Sequence, residues 1–210
     1  MLQHNLAIAA PSAEVVLAPR FAADAIPMVT HVRSTAIVAS QGALLQLGLL
    51  ERYAERLPSA HHFRRLQELQ SATWVDQGLV HAHYRAIDAL QLSEVSQTEL
   101  ATLVGTVVET YLTGTLQRMS RAVGITPWTY HPHAQRFWDR LCQGGDISIV
   151  RLGPKEAKLT YHGLPFAPSP YFRLANRVGC TLSLARVCKK VYMRELGHTA
   201  TEVSYGQSWV

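Results

Sequence analysis

Cysteine is scarce in this sequence, and its few cysteines form no cluster. Among 210 residues there are three, Cys142, Cys180 and Cys188. Their number is odd and their spacing is unlike that of zinc ligands, so neither a disulfide framework nor a zinc knuckle is indicated. We expect buried free thiols in the reducing environment of the cytoplasm.

Long apolar runs are also lacking. No segment approaches the roughly 18–20 consecutive apolar residues that a membrane-spanning helix requires. The chain begins without a basic region, and Pro11 interrupts its first apolar part, which is atypical of a secretory signal. The sequence therefore predicts a cytoplasmic protein with no membrane span.

The common motifs of nucleophilic and nucleotide-dependent catalysis are absent. The sequence has no G-x-S-x-G, no phosphate-binding G-x-x-x-x-G-K-[ST] loop and no G-x-G-x-x-G. No serine, cysteine or lysine has the local sequence of a nucleophile. These absences predict a non-enzymatic protein.

Charge is distributed unevenly along the chain. The net charge is +5, but residues 1–117 carry −3 and residues 118–210 carry +8. A basic half is typical of a protein with an anionic partner, although a solvated basic face has the same composition.

Hydrophobic periodicity divides the chain into an arm and one domain. Residues 1–29 have no clear period and are expected to form an N-terminal arm, with a short strand at residues 14–17. Residues 30–210 are expected to form a single α+β domain, with a helical part at 30–143 and a ββαβ part at 146–210.

Apolar spacing and capping residues predict a series of helices in the first part. They are expected at residues 30–47, 49–57, 59–69, 76–90 and 134–142, and from Thr98 up to Gly124. Gly105 and Gly114 lie inside the last of these helices and lower its propensity by roughly 1 kcal/mol each, which often marks a close approach of another helix or a ligand.

The last 65 residues predict the sheet. Asp146–Leu152 and Glu156–His162 alternate around a Gly-Pro-Lys turn, as in a β-hairpin. Ser169 and Pro170 are typical of a helix start, and the apolar pattern continues to Leu196. A final strand is expected over Thr201–Tyr205. The predicted fold is α+β, with N-terminal helices packed on a small C-terminal antiparallel sheet made of a β-hairpin, a long helix and a final strand.

The second half of the predicted long helix has a basic side. Its cations fall outside the apolar arc and predict a contact surface for a partner. They are Arg186, Lys189, Lys190 and Arg194. Nucleic acid is the less favoured partner, because no helix-turn-helix, zinc finger or RNA-recognition motif is visible.

Aromatic residues on elements that should meet between helices and sheet predict a pocket for a flat or hydrophobic ligand. The candidate lining consists of Trp74, Tyr84, Tyr111, Trp128, Phe137, Trp138 and Phe172. A filled aromatic core is the plainer interpretation of the same residues, so a structural interaction module remains an alternative.

Two histidine pairs are candidates for metal or haem ligation. His81 and His83 lie on one predicted helix about 200° apart, so only one of them can face a ligand. Either is a candidate axial haem ligand. His131 and His133 flank Pro132, but without a third ligand they do not predict a zinc site.

Parts of the sequence resemble a known family. The run Val32–Pro58, Trp74 and the stretch Pro132–Arg177 are similar to an uncharacterised paralogous family abundant in myxobacteria, which pairs an L-x-x-L-G-L-x-x-R-x-x-x-x-L-P segment with a hairpin that has a Leu-Gly-Pro turn. That family distantly resembles the superfamily of haem–nitric-oxide-binding domains, four-vinyl-reductase domains and trafficking-complex subunits.

The resemblance implies helices on an antiparallel sheet, a haem or an acyl chain between the two layers, and a homodimer. The Tyr-x-Ser-x-Arg propionate clamp of the haem-binding branch and the paired C-terminal cysteines of the four-vinyl-reductase branch are not found here. We therefore expect a ligand-binding or sensory domain for a small hydrophobic ligand, with two alternatives: a module with a filled core, and a haem or tetrapyrrole sensor.

Overall fold

The computed structural model describes residues 14–120 and 126–210, and within residues 111–120 it describes the backbone. Helices and antiparallel sheets are both present, which confirms the α+β class. The helices are α1 (Thr35–Gln46), α2 (Leu50–Arg56), α3 (Ala60–Gln67), α4 (Gln77–Asp88), α5 (Glu94–Ser120), α6 (Pro127–Tyr130), α7 (Ala134–Leu141) and α8 (Pro170–Leu184). The strands are β1 (Glu14–Leu17), β2 (His31–Arg33), β3 (Trp74–Asp76), β4 (Cys142–Gln143), β5 (Asp146–Gly153), β6 (Glu156–His162), β7 (Val191–His198) and β8 (Glu202–Trp209).

The main sheet has five antiparallel strands in the order β1-β5-β6-β8-β7. The predicted hairpin of β5 and β6 is confirmed, with Ile149 opposite Leu159. Successive side chains of a strand point to opposite faces. Ile147, Ile149, Leu159 and Tyr161 are therefore on the same face, and all four are buried beneath the helices.

The long helix expected up to Leu196 is wrong in its second half. Helix α8 ends at Leu184, and strand β7 begins at Val191. The chain turns because the backbone N–H groups of Lys189 and Lys190 donate to the carbonyl of Val210, which aligns β7 with β8. A ladder of interstrand hydrogen bonds thus replaces a helical pattern that valine and tyrosine support only weakly.

A small second sheet, in the order β3-β2-β4, was not expected from the sequence. Its three strands have two or three residues each, which is too short for an alternating pattern to be recognised. Because His31–Arg33 pairs with β3 and β4, α1 begins at Thr35 and not at the expected Thr30.

Helix starts follow the capping chemistry of the sequence. The Ser59 side chain accepts a hydrogen bond from the backbone of His62, and the Ser169 side chain accepts one from Phe172. Asp76 caps α4 in the same way. Each such cap is worth about 1 kcal/mol, so these residues set where the helices begin.

The described part of the N-terminal arm contacts the main sheet. Strand β1 pairs with β5, and Val29 is completely buried. The backbone N–H of Arg20 donates to the Asp146 carboxylate at 2.6 Å. Residues 1–13 lie outside the described residues, and the division of the chain at residue 30 stays a prediction.

Helices α5 and α8 cross closely above the sheet. A Cβ atom added to Gly105 would lie 2.8 Å from Cδ1 of Leu182, so the glycine permits this approach. The expectation that Gly105 marks a close helix contact is confirmed, whereas the surroundings of Gly114 lie outside the described residues. No helix in the described ranges is long and apolar enough to cross a membrane.

Gly144 is expected to be essential for the turn into β5. Its φ is +89°, and an added Cβ would overlap the carbonyl oxygen of Met28. Gly144→Ala should therefore lower the free energy of unfolding by at least about 2 kcal/mol in urea titrations, from left-handed strain plus the overlap.

Gly42 in α1 is the matched control, because its added Cβ meets nothing within 4 Å. Gly42→Ala should raise the free energy of unfolding by about 0.5–1 kcal/mol through helix propensity. Equal effects of the two substitutions would contradict the role given to Gly144.

Candidate functional site

A partly enclosed, mostly apolar cavity of about 190 Å³ lies between the helices and the main sheet. Side chains from α1, α4, α5, α7 and α8 form one wall, and residues of β5 and β6 form the other. Apolar cavities of about 150 Å³ stay free of water and admit a benzene ring. The space is therefore large enough for a small flat ligand.

Several of the predicted pocket aromatics meet in this cavity. Its lining includes Tyr84, Phe137, Trp138 and Phe172. Helices α4, α7 and α8 bring them together from distant parts of the sequence. The Tyr111 side chain lies outside the described residues.

Trp74 and Trp128 do not line the cavity. The guanidinium of Arg33 lies 3.9 Å from the centre of the Trp74 ring. Trp128 donates through Nε1 to the carbonyl of Pro154 at 2.8 Å, next to the hairpin turn. Both tryptophans therefore stabilise strand ends and stand apart from the pocket.

His83 is buried in the wall of the cavity, and His81 is half-buried and not part of the lining. Nδ1 of His83 lies 2.7 Å from the hydroxyl of Tyr53, and its Nε2 has no hydrogen-bond partner among the described residues. Burial lowers the pKa of His83 to about 3, so the imidazole is neutral at pH 7. A neutral imidazole with an uncommitted nitrogen can accept a hydrogen bond or bind a metal.

His131, which the sequence singled out only as a pair with His133, is a second buried histidine in the lining. Its Nε2–H donates to Oε1 of Gln207 at 3.0 Å. Its Nδ1 is buried and has no partner within the described ranges. Burial lowers the pKa of His131 to about 4, against a smaller opposing effect of the Gln207 hydrogen bond.

Tyr161 on β6 also lines the cavity and was missed as a pocket residue. The alternation of the strand contains the signal, because Tyr161 lies on the same face as the buried Leu159. Its hydroxyl lies 3.0 Å from Sγ of Cys180 on α8. Burial raises the pKa values of both side chains, to about 11 for Cys180, so both are neutral at pH 7.

Two charged residues, Arg33 and Glu109, line the cavity, and each forms a hydrogen bond with a neighbouring group. Arg33 donates to the carbonyl of Ala72 at 2.6 Å. The carboxylate of Glu109 on α5 accepts from Arg186 at 2.6 Å. Of the predicted basic surface, Arg186 therefore lies in the turn after α8 and forms an ion pair.

The other three predicted contact cations do not share a helix face. Lys189 and Lys190 lie in the bend before β7, and Arg194 lies on β7 itself. All three are exposed, and Nζ of Lys190 is 4.9 Å from the centre of the Tyr192 ring. Their role as a contact surface stays a prediction, now located near a sheet edge.

Across residues 14–120 and 126–210, no group of three or more His, Cys, Asp and Glu side chains could hold a metal ion.

No family model and no curated protein sequence matches the chain.

Solved structures show what fold the chain has. One haem protein, studied for modulation of haem redox potential through porphyrin distortion, is 9% identical over 84% of this chain and 99% of its own, with a TM-score of 0.54. A variant of Tt H-NOX is 10% identical over 84% and 94%, with a TM-score of 0.51. A structure from work on haem distortion in the H-NOX family has the same identity and coverage, with a TM-score of 0.50.

The chain therefore has the fold of these proteins, in line with the distant resemblance to the superfamily that includes haem–nitric-oxide-binding domains. At 9–10% identity, the likeness concerns the fold alone. The links to the myxobacterial family and to four-vinyl-reductase domains stay predictions.

The two buried histidines make the protein sensitive to acid. Their pKa values are about 3 and 4 in the folded chain, against about 6.5 when unfolded, so the unfolded chain binds more protons below pH 6.5. The neutral histidines therefore cost no stability above about pH 6.5, and the free energy of unfolding falls as the pH drops from 6.5 toward 3–4. Acidification from pH 7 to 5 should lower the free energy of unfolding by roughly 2 kcal/mol per histidine.

Urea titrations at both pH values measure this loss, and His83→Gln and His131→Gln should each remove about half of it. His61→Gln serves as the control because His61 is exposed on α3. A pH dependence that is unchanged in both buried variants would contradict the assignment.

Proposed function

We propose that this protein is a sensory domain that binds a flat, largely apolar ligand in the cavity between its helices and its sheet. The cavity of about 190 Å³ carries the proposal, because a filled aromatic core would leave no such space. Neutral polar groups at its wall, His83 and His131, would orient a ligand without adding charge to an apolar space.

Haem is the ligand that we place first. The fold shared with haem proteins supports it, and so does the chemistry of His83. A histidine that holds haem iron must offer a deprotonated ring nitrogen, and its other nitrogen usually donates to a partner that fixes the ring. His83 meets both requirements when its Nδ1–H donates to Tyr53.

The donor set fits haem, whereas the space is small. His83 would hold the iron. Arg33, which also lines the cavity, would pair with a propionate carboxylate. A cavity of about 190 Å³ lies below the roughly 300–1,000 Å³ typical of sites for drug-sized ligands, so haem would need more space than the cavity has in this structure. When bound, haem supplies an iron centre that can take a diatomic gas.

Titration of the purified protein with hemin tests this ligand. We expect a sharpened and shifted Soret band that saturates at one haem per chain. His83→Gly should lose the band, and free imidazole should restore it, because the small molecule replaces the missing imidazole nitrogen.

His81→Gly is the matched control on the same helix, and it should keep the wild-type spectrum because His81 is outside the lining. A protein that gives no Soret band beyond that of free hemin would eliminate haem. It would leave the broader proposal to be decided by the ligand that co-purifies.

Native mass spectrometry of gently purified protein tests the broader proposal. We expect a bound mass of one small molecule per chain, released when the protein unfolds. A bare chain mass in both conditions would favour the alternative of an interaction module with a filled core.

The same spectra test the predicted homodimer. We propose that the dimer or partner contact involves β7, because it is an edge strand with Tyr192 and Leu196 exposed and with Arg194 beside them. Unpaired edge strands readily add another strand. Tyr192→Lys should shift the mass of the intact assembly from that of a dimer to that of a monomer. A wild-type protein that is monomeric at micromolar concentration would refute the dimer.

A further inference from the structure

Three polar side chains on neighbouring strands form a continuous hydrogen-bonded series outside the cavity. The hydroxyl oxygen of Ser148 on β5 lies 2.9 Å from Nε2 of His162 on β6. Nδ1 of His162 lies 2.6 Å from Oε1 of Glu202 on β8. Nucleophile, base and orienting carboxylate thus occur in the order and at the distances that serine hydrolysis uses.

The sheet register explains why these residues meet. His162 is directly opposite Glu202 in the β6–β8 pair. Ser148 is opposite Thr160, two residues before His162 on β6, and therefore lies diagonally across from the histidine. Both positions are within the reach of cross-strand neighbours on one face.

This series lies on the side of the sheet that faces away from the cavity. Ile147, Ile149, Leu159 and Tyr161 line the cavity, and the residues between them point to the other face. The series is thus separate from the proposed ligand site and lies on a different surface of the sheet.

We propose that Ser148, His162 and Glu202 form a second site, which hydrolyses carboxylic esters by acyl transfer. Ser148 is the nucleophile, and His162 is the general base. Glu202 is a positioning residue that holds the Nδ1–H tautomer of His162 and fixes the orientation of its ring.

A pair of hydroxyls next to Ser148 supplies a donor for the developing oxyanion. Thr160 Oγ1 and Ser204 Oγ lie 2.9 Å apart, on β6 and β8. Their mutual hydrogen bond uses one of their two hydroxyl hydrogens, and the described residues offer no acceptor for the other. That hydrogen can be donated to an oxygen held beside Ser148.

The reaction needs water as its one co-reactant. Ser148 Oγ forms a bond to the ester carbonyl carbon while its proton passes to Nε2 of His162. The bond from this carbon to the alcohol oxygen then breaks, and the alcohol leaves with the proton from His162. Water next attacks the acyl-serine, gives a proton to Nε2, and Ser148 takes that proton back as the carboxylic acid departs.

Exposure on this face determines the substrate class. The His162 side chain is 14% exposed and the Glu202 side chain 41% exposed, so the series is reachable from solvent. The lining of the cavity does not include any of the three residues, so a substrate would reach them from the solvent side of the sheet. Esters of small acyl groups, such as acetyl esters, therefore suit this open face.

A fluorophosphonate probe tests the site directly, because it forms a covalent adduct with an activated serine. We expect one adduct per wild-type chain by intact mass, located at Ser148 by peptide mapping. Ser148→Ala should abolish the adduct. His162→Gln should slow labelling at least about 100-fold, and Glu202→Gln at least about 10-fold, because general-base assistance is worth about 10²–10⁴-fold.

Ser208→Ala is the matched control, because Ser208 lies on β8 with no histidine partner among the described residues. It should label at the wild-type rate. Circular dichroism shows whether each variant is folded, and Glu202→Gln provides a second test at a half-exposed position if Ser148→Ala is unstable.

Absence of an adduct on the folded wild-type protein would overturn the proposal, as would labelling that persists in Ser148→Ala. In that case the series is a structural hydrogen-bond network of the sheet. Hydrolysis of 4-nitrophenyl acetate, with the same variants, gives the catalytic readout. Since none of these residues lines the cavity, failure here leaves the proposed ligand binding unaffected.

Discussion

The alternation of side chains along β5 and β6 is the constraint on which the rest of the structure depends. A strand places successive side chains on opposite faces, so the hairpin can be apolar toward the helices and polar on its other side. Ile149 and Leu159 form the floor of the cavity on the first face. Ser148 and His162 are on the second face. A shift of one residue in the register would exchange the two faces and destroy both sites.

Two close contacts fix the position of α5 relative to α8 above the floor of the cavity. Gly105 lets α5 approach α8, and the ion pair of Glu109 with Arg186 joins α5 to the turn after α8. The polar groups enclosed below remain uncharged. Burial makes the protonated forms of His83 and His131 costly, which keeps the cavity suited to apolar ligands and links its integrity to pH.

Local patterns in the sequence predicted much of the framework. The turn between β5 and β6, the caps at Ser59 and Ser169 and the helical contact at Gly105 follow from residue types that act over a few positions. The helix expected to continue to Leu196 was wrong, because its second half satisfies its backbone by pairing with β8. That partner lies later in the chain, and no local pattern reports its hydrogen bonds.

The sequence by itself determined the class of fold, the hairpin with its two faces, and the aromatic character of the space between the layers. Tyr84 and Phe172 were predicted to lie between the layers because large aromatic side chains on packed elements are usually buried, and both line the cavity. Only the tertiary structure decided that His131 enters the cavity and that Ser148 meets His162 and Glu202. Those arrangements depend on strand register and on contacts between residues far apart in the chain, which residue types alone do not specify.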